Sequence, residues 1–285
     1  MKYRFDVRVG PIAYRIGSDW RAPIETLGQL YRDYPLSEGV ADYTVRLEAP
    51  RALRRWLRPQ VAIAGDFTLP EALPLPLEHG LLAAEMGMNL QLALGERRFL
   101  LLHAASVERD GRALILTGES GAGKSTLAAL LGEHGWRFMG DEFALLDLAE
   151  GRMHQFPRPV SLKNESIALF EAMVVPDRLG PALTHTPKGT IRHLIPPRTA
   201  LAAIDTTAHP VLIVFPRFGH VEAIRSVAPS EAFVRLTQAS TNYVALGEPG
   251  FDALTRLIEG RPAVAIDYPD TASALRLVEQ LWEAL

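Results

Sequence analysis

Residues 118–126 read Gly-Glu-Ser-Gly-Ala-Gly-Lys-Ser-Thr and match G-x-x-x-x-G-K-[ST] in full. Each residue type has a chemical reason. The glycines let the backbone curl so that successive N–H groups converge on phosphate oxygens. A helix opening at Lys124 adds the positive end of its dipole. Lys124 has the reach for β- and γ-phosphates, and the Ser125 hydroxyl suits Mg²⁺. The expected nucleotide contacts are therefore Gly118, Ser120, Gly121, Ala122, Gly123, Lys124, Ser125 and Thr126. A chance Gly-rich turn would lack a strand before it and a helix after it. Here an apolar strand is expected over 112–117 and a helix over 124–134, ended by Gly135. The motif fixes a triphosphate and leaves the reaction open. No N-K-x-D is present, which disfavours guanine readout of the GTPase kind. No L-S-G-G-Q is present, which disfavours a transporter ATPase.

Asp141 and Glu142 follow Gly140 after a short apolar strand. Two adjacent carboxylates beside a triphosphate can share two jobs: one ligates Mg²⁺ and the other takes the proton of an attacking hydroxyl. A solvated turn with two ordinary acids is the alternative, and the upstream loop favours the functional one. His103 stands in Leu-Leu-Leu-His-Ala-Ala. A lone histidine in an apolar strand is usually a core residue. Its register argues otherwise. Strands are expected over 99–107 and 112–117, with Asp110 and Gly111 between them, the dipeptide of a two-residue hairpin. Arg109 then faces Arg112, and His103 faces Gly118 at the mouth of the loop. An antiparallel strand beside the loop-bearing strand is unusual, because phosphate-loop enzymes ordinarily use parallel central strands.

In this order and at these separations, His103, the hairpin, residues 118–125 and the pair Asp141 and Glu142 resemble the catalytic domain of HPr kinase/phosphorylase. Residues 157–164, 186–190, 241–243 and 250–251 resemble the HPr kinase-related kinase A group within that family. The resemblance runs from about residue 99 to the C-terminus and is most specific over 99–148. It implies a mixed α/β core related to phosphoenolpyruvate carboxykinase. It also implies ATP- and Mg²⁺-dependent phosphorylation of a serine on a small protein or peptide. Asp141 matches the family's catalytic base, Glu142 its metal-side acid, and His103 its active-site histidine; Lys124 completes the catalytic set. A homo-oligomer is in keeping with the family. Three features depart from the family pattern. Glu142 stands where the usual pair has a second aspartate, the later acidic signature is not placed, and residues 1–95 do not resemble the usual regulatory domain. Reverse phosphorolysis and control of sugar metabolism are therefore not carried over.

Arg158, Lys163, Lys188 and Arg192 lie in loop-like stretches after the acids and are candidates to neutralise phosphate charge or contact substrate. Solvated surface cations are the alternative. The stretch around Lys188 has lid-like composition. His185 and His193 flank it without metal-ligand spacing. Met86 and Met88 are expected to pack, and Asn242 and Tyr243 to shape an acceptor pocket.

The elements that must position these groups follow from pattern. Strands are expected over 2–9, 12–16, 42–47 and 61–67, then a Pro-rich linker over 70–76. A helix follows with Leu82, Met86, Leu90 and Leu94 as its apolar face. Residues 176–200 read as a loop. The expected fold is α/β: a phosphate-loop core of mixed sheet and helices over 96–285, preceded by a small β-rich domain over 1–95. The 285 residues carry a net charge of −3, which argues against nucleic-acid binding. The absence of cysteine excludes disulfides, thiolate catalysis and cysteine-bound zinc. With no bilayer-length apolar run and no signal core, a cytoplasmic protein off the membrane is expected. The function expected is an ATP-dependent kinase acting on a hydroxyl of a small protein or peptide. The alternatives are a small-metabolite kinase or phosphorylase on the same fold, or an ATP-binding regulatory module with little turnover.

Overall fold

In the computed structural model, which describes residues 1–186 and 188–285, the chain divides into two units. One holds residues 1–96 and 161–195, and the other holds 97–160 and 196–285. Pro187, within the 186–190 stretch singled out above, lies outside the described residues. Among the described residues no helix is long and apolar enough to cross a membrane.

The first unit opens with β1 (Tyr3–Val9) and β2 (Ile12–Ser18), an antiparallel hairpin. Helix α1 (Arg21–Leu30) then leads to β3 (Tyr43–Glu48), which runs parallel to β2. The sequence pattern misses α1 because it holds Pro23, yet a proline in the first turn costs no intrahelical bond. Strands β4 (Gln60–Gly65) and β5 (Leu75–Pro76) complete a five-stranded sheet ordered β1-β2-β3-β4-β5.

Helix α2 (Gly80–Gly95) forms as expected but buries a different face. Ala83, Ala84, Met88 and Leu92 are buried, whereas Met86 and Leu94 are exposed. The reason is close approach. A Cβ added to Gly87 would lie 2.5 Å from Val45 Cγ1 and 3.2 Å from Ile63 Cγ2. Only glycine fits at 87, where α2 meets β3 and β4, and Met86 and Leu94 lie outside that contact. Met88 packs as expected, and Met86 does not.

The second unit starts with β6 (Phe99–Leu102), β7 (Ala104–Arg109) and β8 (Arg112–Thr117). Asp110 and Gly111 have φ of 55° and 76°, the positive values of a type I′ turn. Pairing runs from Arg109↔Arg112 to Ala104↔Thr117. The single strand expected over 99–107 is broken at His103. Its amide leaves the ladder and donates to Ala239 O at 2.7 Å. Helix α3 (Lys124–Glu133), β9 (Arg137–Gly140), β10 (Ala144–Asp147) and β11 (Met153–His154) follow.

The chain then returns to the first unit with β12 (Val160–Lys163), α4 (Glu165–Met173), β13 (Leu179–Thr186) and β14 (Gly189–Leu194). Strands β13 and β14 form an antiparallel hairpin where the composition suggests a loop. Arg32 donates to Asp177 Oδ2 at 2.7 Å, and His79 Nε2 lies 2.9 Å from Thr184 O. These bonds attach the segment to residues far away in sequence.

The remaining elements belong to the second unit: α5 (Arg198–Ala202), β15 (His209–Phe218), β16 (Ala223–Ser226), α6 (Pro229–Ala239), α7 (Tyr243–Leu246), α8 (Glu248–Ile258), β17 (Ala263–Tyr268) and α9 (Thr271–Glu283). Its main sheet is ordered β16-β17-β15-β8-β7-β9. Strands β8, β15 and β17 are mutually parallel. Strand β7 is antiparallel to both β8 and β9, so β9 runs the same way as β8. Ile115 and Ile213 share a fully buried core with Leu236, Leu254 and Leu257 of α6 and α8. Each such side chain contributes roughly 1.5–3 kcal/mol by burial. Helix α3 packs against β7, β8, β9 and α9.

Candidate functional site

Strand β8 ends at Thr117, and α3 begins at Lys124. The glycine-rich loop thus sits between a strand and a helix, as its sequence requires. Gly121 has φ of 86°, and a Cβ added there would meet nothing within 4 Å, so the loop faces open space. Gly123 has φ of 93°, and its added Cβ would lie 2.7 Å from the Tyr268 hydroxyl. Glycine is required there by conformation and by space alike. The Lys124 ammonium donates to Gly118 O at 2.8 Å and to Glu119 O at 2.9 Å. The side chain that would meet phosphate therefore also ties the loop to itself. Lys124 is buried, whereas Gly118, Ser120 and Gly121 are exposed. Ala122, Ser125 and Thr126 are half-buried. The first-turn amides of α3 have no intrahelical acceptor and carry the positive end of the helix.

The acids reach the same sheet edge through β9. Gly140 pairs with Ser106 of β7. Continuing that register brings Asp141 and Glu142 level with the start of β7, where β8 gives way to the loop. His103 stands there too, with Nδ1 3.6 Å from Glu142 Oε2. Glu142 and His103 are partly exposed, whereas Asp141 is buried, 3% exposed. Gly140 has a steric role: its added Cβ would lie 2.7 Å from Phe156 O. That space lets Phe156 N donate to Met139 O at 2.7 Å. Residues 156–158 are thereby held beside the end of β9. Arg158 is 2% exposed, and a buried guanidinium is retained only where it is paired.

On the other flank of the loop stand Phe218 and Tyr268, the last residues of β15 and β17, paired across the parallel ladder. Burial pushes the Tyr268 hydroxyl well above its ordinary pKa, so it stays protonated. The phosphate-loop pattern gives no sign of either ring. The signal available was positional: both end buried strands, and ligands in open α/β sheets gather at the carboxyl ends of strands.

The structure brings His103, the loop, Asp141, Glu142 and Arg158 into one unit. Lys163, Lys188 and Arg192 belong to the other unit. The Lys163 main chain is engaged by Ser166 Oγ at 2.9 and 2.8 Å. Lys188 is exposed, and its amide donates to Thr186 Oγ1 at 3.2 Å. Arg192 donates to Gly180 O at 2.8 Å and pairs with Glu171, which gives it a structural role in the β13–β14 hairpin. His185 is exposed and His193 buried.

Asn242 does not shape an acceptor pocket. It is 1% exposed, accepts from Leu101 N at 3.0 Å and donates to Phe99 O at 2.9 Å. Its amide closes the free edge of β6. Tyr243 packs edge-on against Phe233, with ring centroids 6.3 Å apart.

Among the described residues no group of three or more His, Cys, Asp or Glu could hold a metal. Mg²⁺ at a phosphate needs less, taking one or two carboxylates and filling its shell with phosphate oxygens and water. Ser125, Asp141 and Glu142 are all oxygen donors and fit that demand.

No protein-family model matches the chain, and no curated protein matches it. Among solved structures 36 chains match. One is the Hpr(Ser) kinase/phosphatase from Coxiella burnetii, at 16% identity and a TM-score of 0.31, covering 65% of this chain and 94% of that one. At that score the likeness assigns neither activity nor residue roles.

Proposed function

We propose that this chain is an ATP-dependent phosphotransferase that moves the γ-phosphoryl group to a hydroxyl, a serine of a small protein or peptide being the acceptor. One observation carries this reading. The β7–β8–β9 register gathers the glycine-rich loop, His103, Asp141 and Glu142 at one sheet edge. The loop amides and Lys124 bind the phosphate tail. Ser125 and Glu142 hold Mg²⁺, which when bound offsets charge on the transferring group. His103 lies against Glu142 and fixes its direction. Asp141 accepts the proton of the attacking hydroxyl. Its burial keeps water from competing for that proton. Arg158 supplies a cation on the β9 side of the loop.

The test is to incubate the chain and Mg²⁺ with γ-labelled ATP, candidate peptides and candidate metabolites. Label in a peptide hydroxyl is expected. Label in a metabolite would replace the acceptor class. Tight ATP binding with no transfer to anything, or to water, would overturn the enzyme reading.

A further inference from the structure

The acids lie on one side of the glycine-rich loop, and the other side has received no role. In the sheet order, β8 stands between β7 and β9 on one flank and β15 and β17 on the other. Asp141 and Glu142 follow β9. Phe218 and Tyr268 end β15 and β17. Val214 lies opposite Leu116, so β15 runs on to Phe218 beyond the point where β8 becomes the loop. The two aromatic residues therefore stand beside the loop itself, above the level of the sheet core.

Contacts at Gly123 confirm this placement. An added Cβ there would lie 2.7 Å from the Tyr268 hydroxyl and 3.4 Å from Phe218 Cβ. The two rings have centroids 5.9 Å apart and planes inclined at 58°. Tyr268 is buried, at 3% exposure, whereas Phe218 is 46% exposed. A buried ring thus backs an exposed one at the edge of the glycine-rich loop. The Arg217–Asp267 pair, with Arg217 Nε 2.9 Å from Asp267 Oδ1, fixes the two strand ends in register. Gly219 and His220 donate their amides to Tyr268 O and hold the turn after Phe218 against β17.

A nucleoside triphosphate is a polar tail with a flat apolar head. If its terminal phosphate faces Asp141, its head must leave the loop away from β9. The surface there is the exposed face of Phe218. We propose that Phe218 and Tyr268 form a shelf for the adenine base, Phe218 stacking on it and Tyr268 seating that ring against the loop. The proposal rests on the nucleotide reading above and adds the direction in which the nucleotide lies. An aromatic face binds a base by stacking, and removing such a face typically costs about tenfold in affinity or more.

The experiment is calorimetric titration of the full chain with Mg-ATP and, separately, with Mg-tripolyphosphate, which has the tail and no base. Phe218→Ala is expected to weaken Mg-ATP about tenfold and to leave Mg-tripolyphosphate unchanged. The latter also shows that the loop is still folded. Phe218→Trp is expected to recover the affinity that Phe218→Ala loses. Unchanged Mg-ATP affinity in Phe218→Ala overturns the shelf, and so does equal weakening of both ligands. A wild-type chain that binds tripolyphosphate but gains nothing from the base overturns the shelf and spares the loop. One that binds neither ligand overturns the nucleotide reading itself.

Discussion

The β7–β8 hairpin has two ends built from the same two strands, and they treat polar groups in opposite ways. At the turn, Arg109 donates twice to Glu279, both at 2.7 Å. Its guanidinium lies 4.1 Å from the Trp136 ring centroid. Trp136 donates to the same Glu279 at 3.0 Å and meets Trp282 edge-on at 4.6 Å. Arg112 lies over Trp282 at 4.7 Å. These charged and aromatic groups are matched within the protein. At the far end His103 turns out of the strand with Glu142 beside it, and an added Cβ at Gly118 or Gly121 of the loop would meet nothing within 4 Å. One end anchors the hairpin to α9, and the other is the end where the candidate site lies. Precise presentation needs such an anchor, because a site can be no better positioned than its support.

The largest expected effect breaks the open end. Asp141→Asn keeps shape and removes the base, so phosphoryl transfer is expected to fall about 10²–10⁴-fold. Unfolding should barely change, and ATP affinity should be largely retained. Transfer at the wild-type rate, measured with labelled ATP, would remove Asp141 from the mechanism. The anchored end should respond in the opposite sense. Trp282→Ala empties a buried site under both Arg112 and Trp136 and is expected to cost about 3–5 kcal/mol of stability. Denaturant titration measures this. A loss under 1 kcal/mol would mean that the anchor contributes little.

Both ends are partly legible in the sequence, for different reasons. The turn is announced by Asp110 and Gly111, and the loop by its glycines and Lys124, because each demands a local backbone conformation. Pairing register then follows from counting as far as Ala104↔Thr117, and the ladder stops one residue short of the expected pairing of His103 with Gly118. What escapes is set by distant partners. The break at His103 depends on Ala239 O, far along the chain, since both flanking runs favour strand equally. The buried face of α2 is chosen by Gly87 against Val45, and small residues leave no mark in an apolar stripe. Asn242 looks like a pocket residue until the open edge of β6 shows what its amide must satisfy. The attachment of residues 161–195 to the first unit likewise rests on remote pairs such as Arg32 with Asp177.

One substitution made at each end isolates the difference. Gly111 and Gly121 have φ of 76° and 86°, and an added Cβ at either meets nothing within 4 Å. Alanine at each is expected to cost about 1–2 kcal/mol from the left-handed backbone alone. Stability should therefore fall alike in the two variants. Only Gly121→Ala places a methyl in the space that phosphate would use. It should weaken Mg-ATP binding beyond its effect on folding, whereas Gly111→Ala should not. Equal ATP affinity in the two variants would argue that the loop faces no ligand.

The smallest expected effect is a pH dependence at the anchored end. The hydrogen bonds from Arg109 hold the Glu279 carboxyl below its ordinary pKa, against the opposing effect of partial burial. A carboxylate lowered in the folded state contributes stability above its unfolded pKa. That contribution disappears as pH falls through the lowered value. Glu279→Gln removes the titration while keeping the shape of the side chain. Because both partners are about a third exposed, solvent screens the pair, and the expected loss near neutral pH is only about 0.5–1.5 kcal/mol. The informative quantity is the difference between wild type and variant across an acid titration. It should shrink toward zero as Glu279 protonates, since other carboxylates titrate in both proteins. A difference that stays constant into acid would assign the anchor to stacking of Arg109 on Trp136, with the ion pair contributing nothing.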